Sequence, residues 1–432
     1  MRTCFSPPSL LSSAALGLVL GLSVVAGCGS GCGDDMMMST ETATTSTSTS
    51  TSTSTSTSTS TTSETETSTT TTTGATTTTT GDVEPCEDMS ALCFELKGEL
   101  LMGKQIGDLA TIDDGDGFRD VVAAADDGLY LLRNDGGGAL TDAPLDGMMR
   151  GYVAVAAGDV AGGPEEDIVA LRLVKDMPNA AELVTFGATD GVYTELSAIE
   201  VEIAASLALT DVDGDGDLDV VVARDTDGLL ALYLGDGAGA FVEATTVAAG
   251  TAPVQVIAGA VDDDDVADLA VVNYGSNSLG VSLVVDGDLS EVETYALDGA
   301  PRGVAAASLV DDSRDLLVIT EGVDELVVLS ADANGGLDEL AIHALGDAPR
   351  ALVAADFNGD GVDVAVALRG LGAIGFWVND GGALVPYTTY SVISDPSAIV
   401  AAHINDDNRL DVAVASDGVE GGVRLLLSNP GG

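Results

Sequence analysis

The hydrophobic and polar positions of this chain repeat. An acidic, glycine-containing stretch gives way abruptly to a short apolar run, as in LTDVDGDGDLDVVVAR, residues 209–224. The same change occurs in ATIDDGDGFRDVVAAA, AGDVAGGPEEDIVALR, GAVDDDDVADLAVVN, ASLVDDSRDLLVIT, ADFNGDGVDVAVALR and AHINDDNRLDVAVAS. Each apolar run opens on an aspartate. These are Asp120, Asp167, Asp219, Asp268, Asp315, Asp363 and Asp411, at spacings of 47, 52, 49, 47, 48 and 48. Prolines keep a second ruler, with Pro253, Pro301, Pro349 and Pro396 at spacings of 48, 48 and 47. A repeat of this length means a stacked or circular array of one unit, not independent domains.

Within the third unit, VEIAASLAL precedes the acidic loop and DVVVA follows it, then LLALYLG, the turn DGAGA, and FVEATTVA. Short β-branched runs separated by Gly and Asp turns read as four strands. Four strands per unit of about 48 residues suit the blade of a β-propeller. The last unit ends in GGVRLLLSNPGG and lacks a fourth strand. LCFELKGELLMG, residues 92–103, precedes the first acidic loop and has the pattern to supply it. Closing the ring that way leaves no exposed sheet edge. The expected fold is therefore all-β: a seven-bladed β-propeller of four-stranded antiparallel blades over residues 97–432, closed by pairing of its N- and C-terminal strands. An open solenoid is the alternative.

Ahead of the array the pattern stops. Arg2 precedes an apolar run from Leu10 to Ala26, which has the order of an export signal and is short for a membrane span. Val25-Ala26-Gly27-Cys28 resembles a bacterial lipobox, which implies that residues 1–27 are a signal and Cys28 is lipidated. Gly29, in place of aspartate, favours the outer membrane or cell surface. Residues 28–81 read as a lipid-anchored stalk. Their Ser/Thr tract, 39–80, has no apolar face to bury and is expected to be disordered. As a flexible coil it spans roughly 35–40 Å, and at most about 150 Å. A lead-in, 82–96, holds Cys86 and Cys93, which an oxidising compartment would join as a small clasp.

Charge narrows the function. The net charge is −55, from 70 acids against 15 bases, which excludes nucleic acid and argues against an acidic membrane surface. Two histidines leave little for imidazole catalysis or a His-rich zinc site. What the charge permits is a cation. Asp211, Asp213 and Asp215 alternate in a tight loop, Gly216 permits a left-handed turn, the carbonyl of Asp217 can face inward, and Asp219 can close the site. Hard oxygen ligands at this spacing are what Ca²⁺ takes. Without a cation such acids repel one another, and a hairpin turn needs only one Asp-Gly pair. The other loops grade downward. Asp356, Asn358, Asp360 and Asp363 keep the ligand types with one residue fewer. His403 stands first before Asn405, Asp407 and Asp411. Ala260 stands first before Asp262, Asp264 and Asp268, and Ile112 before Asp114, Asp116 and Asp120. The second loop retains only Asp159 and Asp167, and the fifth Asp312 and Asp315. Between two and four occupied sites are expected.

The pattern D-x-[DN]-x-D-G-x-x-D, followed by an apolar strand and a later Gly-x-Pro-like turn, resembles the FG-GAP/VCBS repeats of integrin α-subunit propellers and of many bacterial exported proteins. The resemblance covers 97–432. It implies a monomeric binding or adhesion module with a protein or glycan ligand. A propeller with polysaccharide lyase or hydrolase activity is the alternative, but no Ser-His-Asp order, P-loop or HExxH appears. Arg302 and Arg350 follow matching prolines at the expected mouth of the central channel. They either pair with neighbouring acids or receive an anion.

Overall fold

The computed structural model describes residues 92–428, apart from 147–149, 176, 178–179, 265 and 311–312. The signal, the stalk, Cys28 and Cys86 lie outside the described residues. Cys93 is disulfide-bonded.

Seven four-stranded antiparallel sheets follow one another along the chain. Blade 3 shows the plan: Ser206–Thr210, Asp219–Arg224, Leu229–Gly235 and Phe241–Ala248, paired in that order. The second strands are buried along almost their whole length, because neighbouring blades cover both faces. That is why they read as unbroken apolar runs and not as alternations. The fourth strands, on the rim, alternate: Phe241–Ala248 and Leu337–Ala344 are exposed at every other position or more.

The seventh blade closes the ring as the pattern requires. Pro396–Ala402, Asp411–Ser416 and Gly422–Ser428 come from the C-terminal end, and Phe94–Leu100 is the fourth strand, with Phe94 opposite Ser428. The closing strand thus begins three residues ahead of residue 97. Phe94 stacks on Phe376 at 4.7 Å and meets Phe357 and Tyr390 edge-on, so it also ties the seventh blade to the sixth. Seven apolar clusters lie between adjacent blades. The one joining the first blade to the seventh holds Ile106, Leu132, Ala413 and Leu425. With so few aromatics, Val, Ala and Leu fill these narrow spaces.

One expected strand is divided. VEIAASLAL contributes Val201 and Glu202 to the last strand of blade 2, Val192–Glu202, and only Ser206–Thr210 begins blade 3. Blade 2 owes its 52-residue spacing to long outer strands, Ala180–Thr189 and Val192–Glu202. An added two-stranded hairpin, Val284–Val285 with Asp288–Leu289, sits between the third and fourth strands of blade 4.

Candidate metal loops

Each acidic loop joins an innermost strand to the second strand of its blade, so all seven emerge on one face of the ring. The turns between second and third strands, and the connections between blades, lie on the other.

The recurrent aspartate at the end of each loop does something other than the spacing alone indicates. All seven are buried, with relative exposures of 0–2 %. In six blades one oxygen accepts a backbone N–H at the end of the third strand or, in blade 4, at the start of the added hairpin just beyond it: Asn134, Ala188, Gly235, Val284, Asn379 and Ser428 donate at 2.7–3.0 Å. The other oxygen usually reaches the start of its own loop. Asp219 Oδ2 accepts from Val212 N at 2.8 Å, and Asp411 Oδ2 from Ile404 N at 2.9 Å. The residue is a clamp that ties loop, second strand and third strand together. Two accepted N–H bonds make a buried carboxylate tolerable. Burial nevertheless pushes the Asp219 and Asp411 carboxyls up, Asp363 to about 6, and Asp120, whose Oδ2 has no partner, to about 7.

Among the described residues, two acidic trios converge. In blade 3 carboxylate oxygens of Asp211, Asp213 and Asp215 lie within 4.8 Å of one another, and in blade 4 those of Asp262, Asp264 and Asp268 do. In the first trio Asp211 accepts from Gly214 N and Gly216 N, and Asp213 from Asp215 N, so the backbone curls around the acids. Gly214 and Gly216 take φ of 75° and 96°, the left-handed region that glycine enters freely. Asp217 lies against the neighbouring turn: a Cβ on Gly237 would stand 2.4 Å from its Oδ1. Partial desolvation and then Asp215, Asp236, Asp211 and Asp213 raise the Asp217 carboxyl. Asp219 is not part of the converging trio, whereas Asp268 is. The trios supply the hard anionic oxygens that Ca²⁺ favours, with carbonyls and waters left to complete six to eight ligands. The residues therefore fit the ion.

In three of the other loops protein groups engage the acids or the loop backbone. In blade 1, Asp114 is buried and paired with Arg133 at 2.8 Å, while Arg119 pairs with Glu166 of the next blade at 2.6 Å. Asp114, Asp116 and Asp120 do not converge: an arginine stands against them, and Ile112, in the first ligand position, is buried. In blade 5 the Ser313 hydroxyl donates to Asp315 at 2.5 Å, and Ser308 Oγ donates to the Ser313 carbonyl; Asp312 lies outside the described residues. In blade 7 His403 Nδ1 lies 2.9 Å from the Arg409 carbonyl, and Ser428 Oγ donates to Asp407. In blade 6 the middle position of the trio is Asn358, so that loop brings one carboxylate fewer, and Asp363 holds its clamp position. No spacing rule signals Arg133 or Ser313, since the matching positions of other units carry different residues, such as Leu234 and Val378 for Arg133 and Asp217 and Gly361 for Ser313.

Residues 211–271 match the FG-GAP-like repeat family model. This span holds both converging trios. No curated protein matches the chain. Among solved structures, BBS1N, in a mercury-soaked crystal with ARL6DN, is 12 % identical at a TM-score of 0.55, covering 78 % of this chain and 99 % of that one. A protein from Lactobacillus plantarum is 16 % identical at 0.51, covering 76 % and 100 %. A functionally unknown protein from Desulfotomaculum acetoxidans is 14 % identical at 0.50, covering 67 % and 90 %. At these identities the likeness is one of fold.

Proposed function

We propose that this protein is a calcium-stabilised binding propeller, held off a bacterial outer membrane by its Ser/Thr stalk and a lipid on Cys28, with a protein or glycan as ligand. The observation that carries the reading is the pair of acidic trios on one face, within the span that matches the FG-GAP-like repeat. Ca²⁺ would be held by Asp211, Asp213 and Asp215 in one loop and by Asp262, Asp264 and Asp268 in the other. There it would neutralise the clustered acids and fix the loops of that face. Propellers of this shape serve as interaction domains, and BBS1N is found in complex with ARL6DN. The lyase or hydrolase alternative has no observation in its favour among the described residues.

The test is a protein and glycan binding screen of the full chain, with calcium and with chelator. Capture of a ligand in calcium, weakened by chelator, is expected. Turnover of a polysaccharide, or no capture in either condition, would reject the reading.

A further inference from the structure

The face opposite the acidic loops carries a different feature. In six blades the innermost strand slips register by one residue just after it begins, between Ile106 and Asp108, Tyr152 and Ala154, Pro253 and Gln255, Pro301 and Gly303, Pro349 and Ala351, and Pro396 and Ala398. A bulge leaves its extra residue unpaired and re-aims its side chain. The six extra residues are Gly107, Val153, Val254, Arg302, Arg350 and Ser397, and all line the central cavity, of about 550 Å³. The bulge is thus the device that turns two arginines into the channel.

The two arginines differ. Arg302 is neutralised, with Nε on Glu321 at 2.5 Å and its guanidinium 4.0 Å over the Tyr274 ring. Arg350 is half-buried and, among the described residues, makes no ion pair and no side-chain hydrogen bond. In a chain with 70 acids against 15 bases that is unexpected. Burial and the nearby Arg302 and Arg369 bear against its charge, offset by Asp417 and Glu321. Those two acids are already engaged, Asp417 by Arg369 at 3.0 Å and Glu321 by Arg302. Arg350 is a guanidinium fork without a counter-ion, at the wall of a cavity of small-ligand size.

We propose that the central channel binds a small organic monocarboxylate whose carboxylate is gripped by Arg350. A planar fork matches a carboxylate bidentately. One uncompensated cation answers one negative charge. A second would meet the Asp108 carboxylate, which lines the same cavity and is held by Val155 N at 3.0 Å and Leu109 N at 2.9 Å. It would also meet the field of a chain with a net charge of −55. Val155, Leu207, Ile257, Leu352 and Ile399 offer apolar wall to the body of the acid. The proposal deepens the binding reading by naming a ligand class. It does not depend on the calcium loops, which lie on the other face, so either can fail alone.

The experiment is calorimetric titration of the full chain with acetate, benzoate and glucuronate, and with inorganic phosphate, for the native protein, Arg350→Gln and Arg350→Lys. Thermal melts of each variant establish folding first. At least one monocarboxylate is expected to bind one to one. Arg350→Gln is expected to weaken it at least about tenfold and Arg350→Lys by less, because lysine keeps the charge and loses the fork. Absence of binding by all three acids overturns the proposal. So does equal binding by a folded Arg350→Gln, or, if that variant does not fold, by Arg350→Lys. Tighter binding of phosphate than of any carboxylate overturns the ligand class.

Discussion

Replacing Phe94 by alanine tests how the ring is held shut. Phe94 is 1 % exposed, stacks on Phe376 at 4.7 Å, and meets Phe357 at 6.2 Å and Tyr390 at 5.7 Å. Its backbone N–H donates to the Tyr390 hydroxyl, which in turn donates to the Leu92 carbonyl, both at 3.2 Å. A buried Phe→Ala change costs about 3–5 kcal/mol in lost transfer energy and residual cavity, and aromatic pairs add about 0.5–1.5 kcal/mol. The loss expected for Phe94→Ala is therefore about 4 kcal/mol, a large share of a domain margin of about 5–15 kcal/mol. Leu96, two residues along the same strand, is 41 % exposed, so Leu96→Ala should cost less than about 1 kcal/mol. Trp377, the single tryptophan, is buried in the third strand of the sixth blade beside Phe376 and reports the transition. Urea unfolding followed by its fluorescence gives both losses, with the disulfide left oxidised. If Phe94→Ala destabilises no more than Leu96→Ala, the closing strand does not carry the ring.

Two further outcomes follow from buried charge. Burial pushes the Asp108 carboxyl up to about 6 from an ordinary 3.8, so the folded state holds an extra proton between those values. The stability that proton supports is full below about pH 4 and lost as pH rises through 6, by ~3 kcal/mol at 1.36 kcal/mol per pKa unit. Unfolding midpoints from pH 4 to 7 should therefore fall less for Asp108→Asn than for the native chain, and parallel curves would count against this. Arg172 is 3 % exposed at its side chain and bridges Glu182 at 2.8 Å and Glu195 at 2.7 Å. Arg172→Ala strands the partly buried Glu195 and leaves Glu182 to Arg150 alone, and should cost about 3 kcal/mol by urea unfolding, while a loss under about 1 kcal/mol would show the bridge to be dispensable.

The array, the number of blades and the closing strand were legible because they rest on periodicity. An apolar run of fixed length after an acidic loop, repeated at one spacing, leaves little choice of architecture. The chemistry of each loop was less legible. Asp219 and Asp363 stand where a last ligand would stand, yet a carboxylate that accepts N–H groups and one that faces a cation occupy the same position in a sequence. Burial does not separate them, since Asp268 accepts N–H groups at 0 % exposure and still converges with Asp262 and Asp264, while the equally buried Asp219 stands outside its trio. Asp114 reads as a ligand until Arg133 arrives from the third strand, and Asp315 until Ser313 donates to it. The two arginines after the prolines were visible, but not their inequality. That depends on Glu321 and Tyr274 reaching Arg302 while Arg350 is left without a carboxylate.

The central claim is that the acidic face holds calcium, and counting bound calcium tests it most directly. Full-chain protein dialysed against calcium and analysed for metal should carry two ions per chain, one for each converging trio. Asp213→Ala should lower the count to one, and chelator should remove both ions and lower the melting temperature. A chain that binds no calcium, and melts at the same temperature with and without chelator, would contradict the account.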